Sequence, residues 1–352
     1  MKSAYQHYRR QAAVIVGLVF LVSGILKVSD PVGTGLIVAE YFKFLRLAFL
    51  VPLARAVGVA FSVAECAVGI GLVTGVMRRL MAWATFVLLG FFTLLTLILW
   101  IFNPPMDCGC FGEAFHLTHA QSFWKNVVLL AVSAIAFTPF RDFGEPAPRK
   151  WVGATLCTAA VLLASVYSNR HLPIVDFTAF NWGAQLFASL DDSADESDFR
   201  RAPMLSFRDA EGEYLDDYAA DGKVVIFSVT NPGRARWEDL SVQCHQVEQA
   251  GALPLVLVSS YPEEMDRYAV PADLPLYYSD YKTLITLNRS NGGGAYFYAG
   301  ELVHKWAFRD FPQTLPADLS EDPVALSSRH ITRRRLTAQS FCVFVAAVLL
   351  LM

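Results

Sequence analysis

The feature that most constrains this chain is a series of apolar runs, each long enough to cross a lipid bilayer as a helix. Five of them lie at residues 11–28, 52–76, 80–102, 122–140 and 151–168, and a shorter one lies at 336–352. The core of a bilayer needs about 20 apolar residues per helix, and a helix satisfies its own backbone hydrogen bonds there. We therefore predict a multi-pass membrane protein with five spans and a sixth, C-terminal helix that also crosses. The apolar segment 42–51 is too short to cross and is predicted to be interfacial.

The apolar residues are unevenly spread along the chain. They make up 54% of it, which is more than a globular core uses, and they are concentrated before residue 170. Residues 171–330 have the composition of a soluble domain, so we predict a membrane half followed by a soluble part. The net charge of -3 is too small to indicate a nucleic-acid partner.

Lysine and arginine cluster beside the spans at three places. These are Lys2, Arg9 and Arg10 before the first span, Arg78 and Arg79 between the second and third, and Arg141, Arg149 and Lys150 between the fourth and fifth. All three clusters lie on one side if every span crosses, and the positive-inside rule assigns that side to the cytoplasm. We therefore expect a cytoplasmic N-terminus, with the 102–121 loop and residues 171–330 outside. Arg333, Arg334 and Arg335, on the outer side, depart from the rule.

The loop after the third span carries the most informative motif. Two prolines end the helix and two glycines permit a tight turn, so Cys108 and Cys110 are expected on a constrained loop at the membrane surface. A disulfide within Cys-x-Cys is strained, and a strained disulfide exchanges more readily than a structural one. We interpret the two cysteines as a redox pair, and a purely structural turn is the alternative.

The same loop has a second interpretation as a metal site. His116 and His119 follow the two cysteines, and thiolates combined with imidazoles suit copper or zinc. The spacing is not that of a standard zinc site. We therefore expect no metal there, and we keep copper or zinc handling by Cys108, Cys110, His116 and His119 as an alternative.

Ionisable residues inside the apolar runs are costly and are functional candidates by default. Glu65 lies near the middle of the second run, and we expect it either to hold a buried partner or to handle protons. Lys27 lies near the end of the first run, where its amine can extend to the interface. Cys66 and Cys157 lie in apolar helices and are interpreted as small hydrophobic residues.

Several of these residues fall in motifs that resemble the DoxX-like superfamily, and within it the branch related to the methylamine-utilisation protein MauE. The motifs are Ser-Gly-x-x-Lys at 23–27, Glu65 with Gly69, Asp-Cys-Gly-Cys-Phe-Gly at 107–112 and Phe-Trp-Lys-Asn at 123–126. The resemblance covers residues 11–140 and implies an all-α four-helix transmembrane bundle. It makes Cys108 and Cys110 the candidate catalytic thiols. The supporting residues that it implies are Asp107, Gly109, Phe111, Gly112, Glu65, Lys27, Lys125 and Asn126.

MauE-type proteins are implicated in maturing disulfide-rich periplasmic enzymes, and their bundle is similar in layout to the vitamin K epoxide reductase type of membrane thiol oxidoreductase. The resemblance therefore implies a thiol-disulfide oxidoreductase of the bacterial inner membrane, with a periplasmic client or redox partner and with a quinone as one acceptor. The chain departs from that type because its membrane half has no second outer cysteine pair to relay electrons. A non-enzymatic assembly or scaffold protein is the alternative from a different class.

The soluble part, residues 171–330, alternates strand-like and helix-like patterns in the order of a thioredoxin fold. A β-α-β unit at 223–258 is followed by a terminal hairpin at 294–306. Where enzymes of that fold carry Cys-x-x-Cys, this chain has Asn231-Pro232-Gly233-Arg234, and Cys244 lies well inside the next helix, where we expect it to be buried. We predict an α/β domain that binds a client or acts as a spacer without catalysing exchange.

Overall fold

The structure, a computed structural model, describes residues 2–115, 117–138, 146–181, 204–312 and 322–350, together with Ala184, Leu186 and Leu319. The chain divides into two compact units. The first is Met1–Val175 with Thr337–Met352, and the second is Asp176–Leu336.

The first unit is built mainly from helices. They are α1 (Lys2–Ser29), α2 (Pro31–Phe44), α3 (Ala54–Thr74), α4 (Arg78–Phe102), α5 (His119–Phe137) and α6 (Pro148–Arg170). Among the described residues, five stretches are long and apolar enough to cross a membrane: Tyr5–Ser29, Ala48–Thr74, Arg78–Phe102, His119–Phe137 and Pro148–Arg170. They confirm the prediction of a multi-pass membrane protein.

The segment between the first two spans differs from the sequence-based prediction. Pro31–Phe44 forms a helix, α2, because Asp30 caps its N-terminus by accepting a hydrogen bond from Gly33 N at 2.9 Å and Pro31 fits the first turn. A 3-10 helix, Ala48–Leu53, then continues directly into α3. The second candidate span therefore begins at Ala48, inside the segment that was expected to be interfacial.

The C-terminal helix, α10 (Pro323–Leu350), is a single helix that contains the sixth predicted run. Its apolar part, Arg335–Leu349, is shorter than the five candidate spans. Val345 is buried in a cluster with Cys157 and Val161 of α6. This part of α10 therefore packs against the membrane helices of the first unit, and its crossing stays a prediction.

Helices α1 and α3 approach each other closely along a line of glycines. A Cβ atom on Gly24 would lie 2.5 Å from Cys66 Sγ, and one on Gly69 would lie 2.7 Å from Leu21 N. Small residues allow such backbone contact between membrane helices. The contact brings the polar residues of α1 within hydrogen-bonding distance of those of α3.

The ends of α4 and α5 fix the loop between them. Helix α4 ends at Asn103, which has a left-handed φ of 42° and is followed by two prolines. Helix α5 starts with a capping box, in which Thr118 and Gln121 satisfy each other's backbone amides. Between these ends lies the short strand β1 (Cys110–Glu113).

The second unit contains a five-stranded mixed sheet. Its strands are β2 (Lys223–Val229), β3 (Leu253–Val258), β4 (Leu276–Tyr278), β5 (Gly293–Tyr298) and β6 (Glu301–Trp306). Their order is β4-β3-β2-β5-β6, in which β2, β3 and β4 are parallel and β5 and β6 are antiparallel to their neighbours. The connecting helices are α7 (Trp237–Gln249), α8 (Pro262–Met265) and α9 (Tyr281–Leu287). The predicted α/β domain is thereby confirmed.

Both faces of this sheet are covered. Alternate residues of β2 point to opposite faces, so that Val225 and Phe227 join one buried cluster with α7 while Val224 and Ile226 join another with α9. When both faces of a sheet are buried, the sequence of a strand within it is a continuous run of apolar residues. This is why the β2 sequence is recognisable without alternation.

Candidate active site

The Cys-Gly-Cys turn is held against α1 and α2 by a close approach at Gly109 and by hydrogen-bonding contacts to the carbonyl oxygens of both cysteines. Gly109 has a φ of 60°, and a Cβ there would lie 2.5 Å from Ile37 Cγ2. The hydroxyl of Tyr41 donates a hydrogen bond to the Cys108 carbonyl oxygen. The hydroxyl of Ser23 lies 2.7 Å from the carbonyl oxygen of Cys110. The turn is therefore fixed through its backbone, and these contacts do not use the two thiol side chains.

The two sulfurs lie next to each other as thiols. Cys108 Sγ and Cys110 Sγ are 3.5 Å apart, and Cys108 is buried while Cys110 is half-buried. At this separation one thiol donates a hydrogen bond to the other. Only small movements are required to bring the sulfurs to the bonded distance of about 2.05 Å.

The pair is electrostatically asymmetric. The hydrogen bond between the two thiols is the main reason why the pKa of Cys110 lies well below its ordinary value. Burial opposes this shift, and the positive charges of Lys125 and Lys27 add to it. The same hydrogen bond, together with burial, raises the pKa of Cys108 well above its ordinary value. The buried hydroxyl of Ser122, in the first turn of α5, favours the thiolate form of both.

A thiolate is the form of cysteine that attacks disulfides. Of the two thiols, Cys110 is therefore the one whose surroundings favour the thiolate more strongly. The sequence leaves this assignment open, because Asp107 and Glu113 beside the pair disfavour a thiolate. The structure adds what the sequence lacks, which is the position of Lys125 and the direct contact between the two sulfurs.

A buried ion pair lies behind the turn. Lys27 Nζ is 2.6 Å from Glu65 Oε1, and the amine also lies 5.4 Å from the centre of the Phe92 ring. Ser23 Oγ is 2.8 Å from Glu65 Oε2 and therefore connects this carboxylate to the backbone of Cys110. Lys27 is 8% exposed, so its amine does not extend to the interface as one sequence-based interpretation had it.

The other predicted site residues have different surroundings. Lys125 Nζ lies 4.7 Å from the centre of the Phe111 ring, and Asn126 Nδ2 donates to Thr96 Oγ1 at 3.4 Å. Gly112 adopts a left-handed φ of 62° where the turn passes over α1. Asp107 is exposed. Seven of the predicted residues line one cavity: Lys27, Glu65, Cys108, Gly109, Cys110, Lys125 and Asn126.

The alternative metal interpretation finds little support in the described residues. His119 Nε2 lies 3.2 Å from the backbone carbonyl of Pro104. His116 lies outside the described residues. Among the residues that are described, no group of three or more His, Cys, Asp or Glu side chains is placed to hold a metal ion.

Three further residues of the site are not among the site residues named from the sequence, although Ser23 belongs to the Ser-Gly-x-x-Lys motif at 23–27. Ser23 has a usable signal, because it is polar inside an apolar run and precedes Gly24. Tyr41 has no such signal in the sequence, because α2 is not predicted as a helix that reaches the cysteine turn. Ser122 has no distinguishing signal either, because serine is common near the start of a helix. All three act through contacts between segments that are distant in the sequence.

The second unit holds no comparable pair of thiols. At the position after β2, Asn231 is bound through its backbone to the side chain of Asn291 at 2.8 and 3.1 Å. Cys244 is buried in α7, and burial raises its pKa to about 12. A polar cleft of about 530 Å³ lies beside β4, lined by Arg208 and by tyrosines that include Tyr261 and Tyr281.

Comparison with known proteins finds a match within the first unit alone. The family model of the methylamine utilisation protein MauE matches residues 6–139, a segment that contains the cysteine turn and the ion pair. No curated protein and no solved structure matches the chain.

Proposed function

We propose that the MauE-family domain, residues 6–139 of this membrane protein, carries out thiol-disulfide exchange through Cys108 and Cys110. The observation that carries the proposal is the pair of sulfurs 3.5 Å apart, with the pKa of Cys110 held below its ordinary value and that of Cys108 above it. A structural cysteine turn needs no such asymmetry. A reactive pair requires one sulfur that attacks and a second that resolves the intermediate.

The reaction runs in two displacements. In the first, the Cys110 thiolate attacks one sulfur of a client disulfide, so that a mixed disulfide forms and the other client sulfur leaves as a thiolate. In the second, Cys108 loses its proton and attacks Cys110, which forms the Cys108–Cys110 bond and releases the second client thiolate. Two electrons pass from the cysteine pair to the client, and the reverse sequence oxidises client thiols.

The ion pair supports this chemistry by positioning the turn. Lys27 contributes positive charge that favours the Cys110 thiolate, while Glu65 is joined to the Cys110 backbone through Ser23. A buried charge without a partner is strongly destabilising. Each of the two charges therefore stabilises the position of the other. Through Ser23, the pair also helps to hold the backbone of Cys110 against α1.

The proposed location is the bacterial inner membrane, with the N-terminus in the cytoplasm. Arg10 donates to the Leu72 carbonyl at 2.6 Å, and Lys150 interacts electrostatically with Arg10, Arg78 and Arg149. These basic residues gather at the starts of α1, α4 and α6, whereas the cysteine turn follows the end of α4. By the positive-inside rule the turn then faces the periplasm. Reporter fusions at Ala147 and Gly222 are expected to show opposite sidedness, and matching sidedness would overturn this topology.

For the second unit we propose a thioredoxin-like domain that docks a client without catalysing exchange. The strand order β3-β2-β5-β6, with a parallel β-α-β unit and an antiparallel hairpin, supports this fold. The buried Cys244 and the absence of a cysteine pair after β2 support a non-catalytic role. The polar cleft beside β4 offers a surface for a client polypeptide.

Trapping of mixed disulfides tests the exchange proposal. In cells that express the full chain, Cys108→Ser removes the resolving thiol, so adducts through Cys110 are expected to accumulate after acid quenching and alkylation. Cys110→Ser is expected to give none, and Cys157→Ser, which changes a buried helix thiol, is expected to behave like the unchanged protein. A double Ser variant that inserts normally and retains full function would refute the proposal.

A further inference from the structure

Basic residues gather at the starts of three helices of the first unit. They come from three segments that are distant in the sequence and contain the starts of α1, α4 and α6: residues 1–10, 75–80 and 138–152. Together these segments contain eight lysines and arginines and two acidic residues, Asp142 and Glu145. The two acids lie outside the described residues, and pairing of both would still leave an excess of six positive charges.

Two of these charges meet at the end of α3. Arg10 donates to the carbonyl oxygens of Leu72, at 2.6 Å, and of Val73. Arg78 donates to the carbonyl oxygen of Gly75 at 3.1 Å. A Cβ atom on Gly75 would lie 3.3 Å from Arg10 Nη1 and 2.8 Å from Arg78 Nε. The two guanidinium groups are therefore fixed beside each other.

The first turn of α6 brings two more charges to the same place. It contains Arg149 and Lys150, and it has neither an acidic residue nor a side-chain hydrogen bond at its N-cap. The ammonium of Lys150 interacts electrostatically with Arg149 and with both arginines at the end of α3. Like charges repel one another, so an anion among them relieves the repulsion. A helix start without an acidic cap also favours an anion.

The general distribution of charge in membrane proteins does not account for this arrangement. The positive-inside rule sets the side of the membrane on which lysine and arginine accumulate, but not their positions relative to one another. The carbonyl end of α3 compensates part of the charge of Arg10, because a helix C-terminus is negative. Arg149 and Lys150 lie at a helix start instead. There the helix dipole adds to their positive charge.

The surface beside the charges is apolar. Trp151 and Val152 directly follow Lys150 and are 45% and 61% exposed. In α4, Leu80 and Trp83 are 53% and 58% exposed. Tryptophan is typical of the headgroup level of a membrane, and exposed apolar side chains of a spanning helix face the acyl chains. The surface therefore suits a molecule with an anionic head and an apolar tail.

We propose that Arg10, Arg149 and Lys150 bind the phosphate of an anionic phospholipid, whose acyl chains lie along the exposed apolar side chains of α4 and α6. Basic pockets between membrane helices bind anionic headgroups in this way, and a guanidinium group matches the oxygens of a phosphate in pairs. A soluble phosphate fits the same cations but leaves Trp151 and Val152 without a contact. The inference does not rest on the exchange function, because the cysteine turn follows the end of α4 whereas these charges lie at its start.

Lipid binding to the purified full chain tests this inference. The protein in a mild detergent is titrated with phosphatidylglycerol or with phosphatidylcholine of the same acyl chains, and bound lipid is counted by native mass spectrometry. We expect phosphatidylglycerol to bind about tenfold more tightly, because its headgroup has a net negative charge. Glycerol phosphate, which has the phosphate without acyl chains, is added as a competitor. At a concentration equal to that of the lipid it is expected to displace none.

Two variants that remove one positive charge each separate the site from the overall charge. Lys150→Gln is expected to weaken phosphatidylglycerol binding by about fivefold, which is the contribution of one basic residue at an anionic surface. Arg79→Gln is the matched control, because Arg79 is exposed in the first turn of α4 and is not among the arginines that act on Lys150. It is expected to bind like the unchanged protein. Lys150→Arg keeps the charge and is also expected to bind normally.

Three results would overturn the inference. Equal affinity for the two lipids would mean that the net charge of the headgroup is not recognised. Equal losses in Lys150→Gln and Arg79→Gln would mean that binding reflects the total charge of this surface and not a site. Displacement of phosphatidylglycerol by glycerol phosphate at equal concentration would identify a site for soluble anions instead of a lipid.

Discussion

Lys27 Nζ and Glu65 Oε1 lie 2.6 Å apart between α1 and α3, and their side chains are only 10% and 2% exposed. A charge at this depth needs its partner, because hydration cannot replace it. Glu65→Ala is therefore expected to destabilise the protein by about 3–5 kcal/mol, seen as a lower unfolding temperature in detergent. The double variant Lys27→Met with Glu65→Leu removes both charges and is expected to recover most of the loss. Full stability of Glu65→Ala alone would show that Lys27 is neutralised by another group.

The charge of Lys125 is expected to set the pH at which Cys110 reacts. Its ammonium helps to hold the pKa of Cys110 below its ordinary value, so Lys125→Met raises that pKa and shifts the alkylation profile of Cys110 to higher pH. Lys125→Arg keeps the charge and serves as the control. The measurement is the rate of iodoacetamide labelling at Cys110, read by mass spectrometry over a series of pH values from about 5 to about 9. An unchanged profile in Lys125→Met would place the stabilising charge elsewhere.

Gly109 is expected to tolerate no side chain. Its left-handed φ costs a residue with a Cβ about 1–2 kcal/mol, and the Cβ would also collide with Ile37. Gly109→Ala is therefore expected to displace the turn and to abolish mixed-disulfide formation while insertion in the membrane is retained. Gly90→Ala is the control, since a Cβ at Gly90 of α4 meets nothing within 4 Å. Normal exchange in Gly109→Ala would mean that the turn does not require this backbone.

The second unit contains its own buried ion pair, which makes its stability depend on pH. Lys305 Nζ lies 2.5 Å from Asp176 Oδ2, and the two side chains are 3% and 4% exposed. Burial alone would raise the pKa of Asp176, but Lys305 and Thr178 hold it below its ordinary value. The folded pKa is thus lower than the unfolded one, so this stabilisation is present above the unfolded pKa and is lost as the pH falls through the folded pKa.

Lys305→Met tests this dependence. It leaves the Asp176 carboxylate without its counter-charge and is expected to lower the stability of the second unit at neutral pH by about 3–5 kcal/mol. The loss is expected to shrink as the pH falls and Asp176 takes up a proton. Equal losses at acidic and neutral pH, measured by denaturant unfolding followed by circular dichroism, would contradict the assigned role of Lys305.

The sequence predicts the elements of this fold better than the contacts between them. The spans and the strands of the second unit follow from apolar runs that are local in the chain, and β2 and β3 are found at the predicted residues. Helix α2 is not predicted, because the interfacial assignment covers only residues 42–51, although Asp30-Pro31 is a recognisable helix start.

The candidate site is predicted in part for the same reason. Cys108, Cys110 and Glu65 are conspicuous by residue type and position, whereas the partner of Glu65 is revealed only by the close approach of α1 and α3. Tyr41 and Ser122 contribute through tertiary contacts that no local pattern encodes. The difference in pKa between the two cysteines depends on such contacts and therefore cannot be read from the sequence.

The proposed function requires Cys108 and Cys110 to interconvert between a dithiol and a disulfide. Redox titration of the purified full chain tests it most directly: the protein is equilibrated in glutathione buffers of graded potential, alkylated, and analysed by mass spectrometry of the 103–125 segment. We expect a single transition in which both cysteines change together from two alkylated thiols to one internal disulfide. A segment that stays doubly alkylated in every buffer, or that forms only separate glutathione adducts, would contradict it.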